Sequence, residues 1–288
     1  MTGNILDEIR VRLPDMSKGQ RRISDYILEH YDKAAYMTAS RLGERAGASE
    51  STVVRYACEL GFDGYPEMQR ALREYADAAL TSVQRIEVTD ERIGKSDVLS
   101  KTLMSDIAKI KSTLEVNDED NFNSFIDYII EAGRVYVAGA RATSLLSDVL
   151  AYNLGLVFEN VTHIDTTSES KIFEQMLKIG KGDVFIAMTF PRYSTRIIKA
   201  VQFAKDCGAK VICITDGENS PIAPYSDVML FAKSDMASYM DSLVAPLSLI
   251  DAIIIAISRK KKNEVSKIFE RLEEVWDKYE IYEKNTGG

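Results

Sequence analysis

From Arg134 onward, short apolar runs alternate with longer amphipathic stretches, an order that few folds accommodate. RVYVAGA (134–140), NVTHID (160–165), DVFIAMTF (183–190), KVICITD (210–216) and DVMLFAK (227–233) read as strands. Residues 142–157, 169–182 and 195–209 read as the helices between them. Apolar strands separated by helices predict a parallel, doubly wound, Rossmann-like α/β sheet. Residues 238–258 are apolar on most sides and predict a helix buried in this domain or at a dimer interface, and a charged amphipathic helix follows.

In such sheets a ligand sits beyond the carboxyl ends of the strands. Three strand ends here carry polar clusters: Gly139, Arg141, Thr143 and Ser144; Thr167 and Ser168; and Thr189, Arg192, Tyr193, Ser194 and Thr195. Each cluster lies just before a helix, whose free N–H groups favour an anion. Hydroxyls add neutral hydrogen bonds, and an arginine adds a paired charge. The combination points to a phosphorylated small molecule, although Ser and Thr at helix starts also serve as plain caps.

Upstream the pattern is helical throughout, at 4–13 (ended by Pro14), 18–35, 38–47, 49–60, 65–80, 98–116 and 118–133. The stretch TASRLGERAGASESTVVRYACELGF (38–62) holds two short helices joined at Gly47, with Thr38 and Ser49 as N-caps. Val53, Val54, Ala57 and Leu60 are expected to face a core. The front of the second helix carries Ser49, Glu50, Ser51, Thr52 and Arg55, with Tyr56 beside them. This is a helix-turn-helix pattern, in which that front meets base edges in the major groove. Arg55 can read guanine with two hydrogen bonds, and Glu50 can accept from cytosine or simply stabilise the helix start. Lys18, Arg21 and Arg22 open the preceding helix and read either as phosphate contacts or as a solvated patch.

Residues 1–77 resemble the amino-terminal domain of RpiR-type bacterial regulators, most specifically in SESTVVRYACELGFDGYPEMQ. Residues from about 120 to 260 resemble the SIS (sugar isomerase) domain of the same family, in VYVAGARATS, DVFIAMTFPRYST and MASYMDSLVAP. The resemblance implies a winged or extended helix-turn-helix domain joined to a phosphosugar-binding SIS domain. It implies that the turns at Gly139–Ser144 and Thr189–Thr195 hold the phosphate. The family's commoner third-strand turn contains a glycine, whereas this chain has TFPRYST, as in an FPRYS subgroup. The arginine so introduced can grip a carboxylate as well as a phosphate.

The domains expected are a helix-turn-helix domain at 1–80, a linker at 81–97 where periodicity is lost, and an SIS domain with flanking helices at 98–288. The net charge is −8, and residues 1–77 hold 11 basic against 13 acidic side chains, so DNA binding must rest on local clusters. No run approaches the ~20 apolar residues of a membrane span. No signal peptide is visible, and Cys58, Cys207 and Cys213 read as reduced core thiols of a cytoplasmic protein. No metal-ligand cluster, nucleotide loop or nucleophile elbow stands out, so no metal or cofactor is expected. His163 reads as structural, and Glu169 either faces the site or suits a first helical turn. The expected function is a non-enzymatic, DNA-binding regulator of carbohydrate metabolism. It would act as a homodimer, or as dimers paired into a tetramer, and respond to a phosphosugar or sugar-acid effector. The alternative is a phosphosugar isomerase on the same sheet.

Overall fold

The computed structural model describes residues 5–93, 97–234 and 238–283, without the side chains of 77, 78 and 91–93. It divides into two compact units, Met1–Met104 with Asp235–Ser242, and Ser105–Ser234 with Leu243–Gly288.

Outside its 238–242 segment, the regular structure of the first unit is helical among the described residues. Its helices are α1 (Ile5–Arg12), α2 (Lys18–Glu29), α3 (Tyr31–Ala34), α4 (Ala39–Ala46), α5 (Glu50–Glu59), α6 (Tyr65–Ala79) and α7 (Ser82–Ile93), with α8 (Val98–Val116) starting here. Leu6, Ile9, Ile23, Ile27, Leu42, Val53, Met68 and Leu72 fill one core. Thr38 caps α4 and Ser49 caps α5, each accepting from the backbone N–H three residues on. Gly47 takes φ +65° between them, and a Cβ on Gly43 would meet the Ala48 carbonyl oxygen at 2.8 Å, so the turn closes tightly over that glycine.

Several expectations are corrected in this unit. Val54 is 40% exposed rather than inward, and Cys58 is exposed rather than a core thiol. No strand, and so no wing, occurs among the described residues of the unit. The supposedly aperiodic 81–97 stretch contains α7, while its residues 94–96 lie outside the described set. Periodicity misses α7 because its buried face is partly polar: Arg85 and Thr89 are buried beside Val88. Arg85 donates to the Asp241 carboxylate at 2.6 Å, in the 238–242 segment that clusters with this unit.

The second unit is a five-stranded parallel sheet of β1 (Val135–Gly139), β2 (Val161–His163), β3 (Val184–Met188), β4 (Lys210–Thr215) and β5 (Val228–Phe231), in the order β2-β1-β3-β4-β5. Its helices are α9 (Glu119–Glu131), α10 (Ala142–Gly155), α11 (Glu169–Gln175), α12 (Thr195–Asp206), α13 (Val244–Lys260) and α14 (Lys262–Lys278). Alternation along the strands splits the core in two. Val135, Val137, Ile186 and Ile212 pack with α9, α10 and α13 on one face. Tyr136, Ala138, Phe185 and Val211 pack with α11 and α12 on the other. The sheet is therefore doubly wound. Helix α11 stops at Gln175 rather than 182, ahead of Gly180 and of Gly182 at φ +89°. Helix α13 starts at Val244 rather than 238, with Pro246 in its first turn, where a missing N–H costs nothing.

Candidate DNA-reading helix and anion-binding turns

On α5 the side chains of Glu50, Ser51, Val54 and Arg55 line an open depression. The Ser49 hydroxyl is used locally, accepting from Thr52 N at 3.2 Å and lying 2.7 Å from the Thr52 hydroxyl. Thr52 packs toward the start of α2, where a Cβ on Gly19 would touch its methyl at 3.4 Å. Lys18 and Arg22 are exposed on that helix. Arg21 instead donates to the carbonyls of Pro14 and Met16, so its guanidinium closes the preceding turn. Tyr56, grouped with the base-facing side chains on sequence, is 1% exposed. Its hydroxyl lies 2.7 Å from that of Ser24, and burial pushes its pKa upward. Tyr56 therefore belongs to the core. Val54 is the residue the sequence reading missed: it follows the buried Val53, and adjacent helical positions do not share a face.

In the sheet, β1 is bordered by β2 on one side and β3 on the other, so the chain reverses its direction of winding between β1 and β3. This is the switch point at which doubly wound sheets bind ligands. Gly139 and Met188, the last residues of β1 and β3, are register partners, so the two turns begin side by side. Gly139 is required: a Cβ there would sit 2.3 Å from the Thr143 carbonyl oxygen. Arg141 and Arg192 both hold positive φ, +60° and +63°, which strains a non-glycine residue by about 1–3 kcal/mol each.

The three turns are tied to one another. Thr166 donates to the Gly139 carbonyl at 2.8 Å, and Arg196 donates to the carbonyls of Thr166 and Thr167 at 3.0 and 2.9 Å. Several expected ligand hydroxyls are spent inside this framework. Thr143 accepts from Ala140 N and donates to its carbonyl, Ser168 caps α11 by accepting from Lys171 N, and the buried Thr189 accepts from Ser194 N. The Thr167 amide donates to Asp165 at 2.8 Å. Tyr193 donates to both carboxylate oxygens of Asp216, at 2.9 and 3.0 Å. Burial raises the Asp216 carboxyl pKa, and the Tyr193 bond offsets part of that rise. What stays open is more selective. Neither α10, after Arg141, nor α12, after Ser194, has a side-chain N-cap. Among the described residues the Ser144 and Ser194 hydroxyls make no hydrogen bond to protein, and Arg141, Arg192 and Thr195 are exposed. Asp216 and Arg196 were missed on sequence because each reaches the site from outside the cluster it serves.

His163 Nε2 lies 3.0 Å from the Ser147 hydroxyl, and its Nδ1 lies 3.4 Å from Asp148. The trio has the order of a hydrolase triad, yet Ser147 is fully buried and also donates to the Ser144 carbonyl. It holds β2 against α10. Glu169 pairs with Lys199. Among the described residues no group of three or more His, Cys, Asp or Glu is placed to hold a metal, and no helix is long and apolar enough to cross a membrane.

The two halves are a helix-turn-helix head and a sugar-isomerase-type sheet. The model for the rpiR-family helix-turn-helix domain matches residues 3–79, and that for the SIS domain matches residues 128–256. The chain belongs to the RpiR family of helix-turn-helix and SIS-domain transcriptional regulators. It is 25% identical to an uncharacterized HTH-type transcriptional regulator of Caldanaerobacter subterraneus, over 94% of this chain and 96% of the relative. It is 22% identical to the HTH-type transcriptional regulator HexR of Pseudomonas aeruginosa, over 98% and 99%. Its fold is similar to that of the Vibrio vulnificus NanR protein, solved in complex with ManNAc-6P, with a TM-score of 0.58, 21% identity, and coverage of 94% of this chain and 98% of that one.

Proposed function

We propose that this chain is a cytoplasmic, non-enzymatic regulator of carbohydrate genes. It binds a two-fold-symmetric operator as a homodimer, or as dimers paired into a tetramer, and a phosphorylated sugar in the sheet unit sets its operator affinity. One observation carries the ligand reading: at the switch point two neighbouring helix N-termini lack side-chain caps, with the hydroxyls of Ser144 and Ser194 beside them. A phosphate completes both, because the unsatisfied N–H groups and the helix dipoles favour an anion. Arg141 and Arg192 flank the same ends and suit a phosphate or the carboxylate of a sugar acid. The NanR complex with ManNAc-6P supports the phosphosugar class.

In the head, Arg55 reads guanine, Val54 offers methyls to a thymine, and Lys18 and Arg22 meet phosphates. The ligand shifts operator affinity only if it favours one arrangement of the protein over another. Residues 81–116 carry that difference, with α7 fastened through Arg85 to Asp241. An isomerase needs a base available to substrate. His163 is held between Ser147 and Asp148, and Glu169 is paired with Lys199, which supports the regulator over the isomerase.

The test is fluorescence anisotropy on DNA from upstream of the protein's own operon, titrated with hexose phosphates, amino-sugar phosphates and sugar acids. At least one phosphosugar should change the affinity. The double variant Arg192→Ala/Ser194→Ala should lose that response and keep DNA binding. A full response in the double variant would move the site elsewhere, and turnover of a hexose phosphate would favour the isomerase.

A further inference from the structure

The SIS match ends at residue 256, and α14 lies beyond it. This helix is 17 residues long, and none of them is buried. Its sequence does not suit a solvated helix. Val265, Ile268, Leu272 and Val275 recur at spacings of three and four, with Phe269 and Trp276 widening the stripe along one edge. Apolar residues at these spacings form the seam by which one helix packs on another. Trp276 stands edge-on to Phe269 and to Tyr282, with ring centroids 6.5 and 5.2 Å away, so the aromatics form a ladder along the seam. Val265, Ile268, Leu272 and Trp276 are half-buried within the chain, while Phe269 is 36% and Val275 42% exposed, so an apolar edge of the stripe remains open as an interaction surface.

The charges beside the stripe select the occupant. Glu264 borders the seam near one end of α14, where it pairs with Lys261 of its own chain and stays exposed, and Lys278 borders the same edge at the other end, over the Tyr279 ring. A second copy laid end for end brings each Glu264 beside the partner's Lys278. The same register sets Val265 against the partner's Val275 and Ile268 against the partner's Leu272. On the other edge Lys262 falls beside the partner's Trp276, a favourable seat for a cation on an aromatic face. A side-by-side parallel pair leaves Glu264 and Lys278 about 20 Å apart, since a helix rises ~1.5 Å per residue. We infer that α14 is a self-pairing helix, by which two copies of this chain associate antiparallel through the Val265–Trp276 stripe. Arg271 meets its own copy near the two-fold axis and is the one like-charge contact of the pair.

The chain contains a single tryptophan, so Trp276 emission reports on this seam alone. The full chain is studied by sedimentation equilibrium and by fluorescence over a dilution series. The wild type should be dimeric or larger, with emission shifting to the red as it dissociates. Val275→Glu, at a position already exposed, should weaken association at least ~100-fold, because it buries two charges in one seam. Glu264→Lys alone should weaken it several-fold, and the double variant Glu264→Lys/Lys278→Glu should recover wild-type association. Arg271→Gln should tighten it. The proposal is overturned if the wild type is monomeric, if Val275→Glu associates like the wild type, or if the double charge swap fails to recover. Circular dichroism of each variant separates a lost interface from a lost fold.

Discussion

The turn before α5 and the turn before α12 share a positive φ and a serine at the helix start, and diverge in their chemistry. Each has a residue in the left-handed region, Gly47 at φ +65° and Arg192 at φ +63°, and each reaches a serine at the N-cap two residues later. In the head the left-handed residue is glycine, and Ser49 satisfies its own helix. In the sheet unit the residue is a strained arginine, and Ser194 leaves its helix start unsatisfied. One turn is closed, so reading falls to the side chains beyond it. The other keeps a strained residue and a helix start with no side-chain cap, which is the feature the proposed ligand reading rests on.

The strongest challenge to this contrast is steric. Gly139→Ala forces a Cβ onto the Thr143 carbonyl and should cost about 1–3 kcal/mol or more in urea unfolding of the sheet unit, with loss of any effector response. A neutral result would mean that the β1 turn is not rigid. Next, Arg55→Ala should weaken operator binding by about 1–3 kcal/mol and relax one base position, leaving the effector midpoint in place. The paired serines sharpen the comparison most directly. Ser49→Ala removes a working cap and should cost about 1 kcal/mol of stability, whereas Ser194→Ala should leave stability nearly unchanged and weaken the effector response. Equal losses of stability would erase the distinction. Arg192→Gly should raise stability by about 0.5–1 kcal/mol, because glycine takes that φ freely, while the response falls.

The smallest effect concerns acid. Burial pushes the Asp227 carboxyl up, but bonds from Lys205, Val211 N and Lys210 outweigh it and leave the pKa below 3.8. The stability this adds is present above 3.8 and is lost as pH falls through the lowered value. Asp216 has the opposite sign: its carboxylate form is disfavoured in the folded chain, and acid relieves it. Asp227→Asn should therefore flatten the acid limb of a thermal melt, while Asp216→Asn should steepen it.

The sheet was legible because its strands are apolar on both faces and its helices are not, a pattern that survives any detail of loops. Gly47 was legible for a similar reason, since a left-handed helix end favours glycine, whereas Gly139, read as a ligand contact, proves necessary because the Thr143 carbonyl lies where its Cβ would be. Residues whose role depends on a partner distant in sequence were not. Arg21 looked like a free cation until the carbonyls of Pro14 and Met16 came into reach, and Asp216 looked like a strand end until Tyr193 reached it. Tyr56 misled for a different reason: its hydroxyl suits a surface, but its position three residues after Val53 puts the ring inward, where Ser24 meets it.

Arg85 has a practical consequence for anyone building hybrid sensors. Its guanidinium is nearly fully enclosed, and the Asp241 carboxylate it grips lies more than 150 positions further along the chain. A head severed after residue 93 and fused to a foreign receptor would leave that carboxylate behind and keep the enclosed cation. Such a fusion should express poorly unless the 238–242 segment travels with it, or Arg85 is replaced by an uncharged side chain of similar bulk.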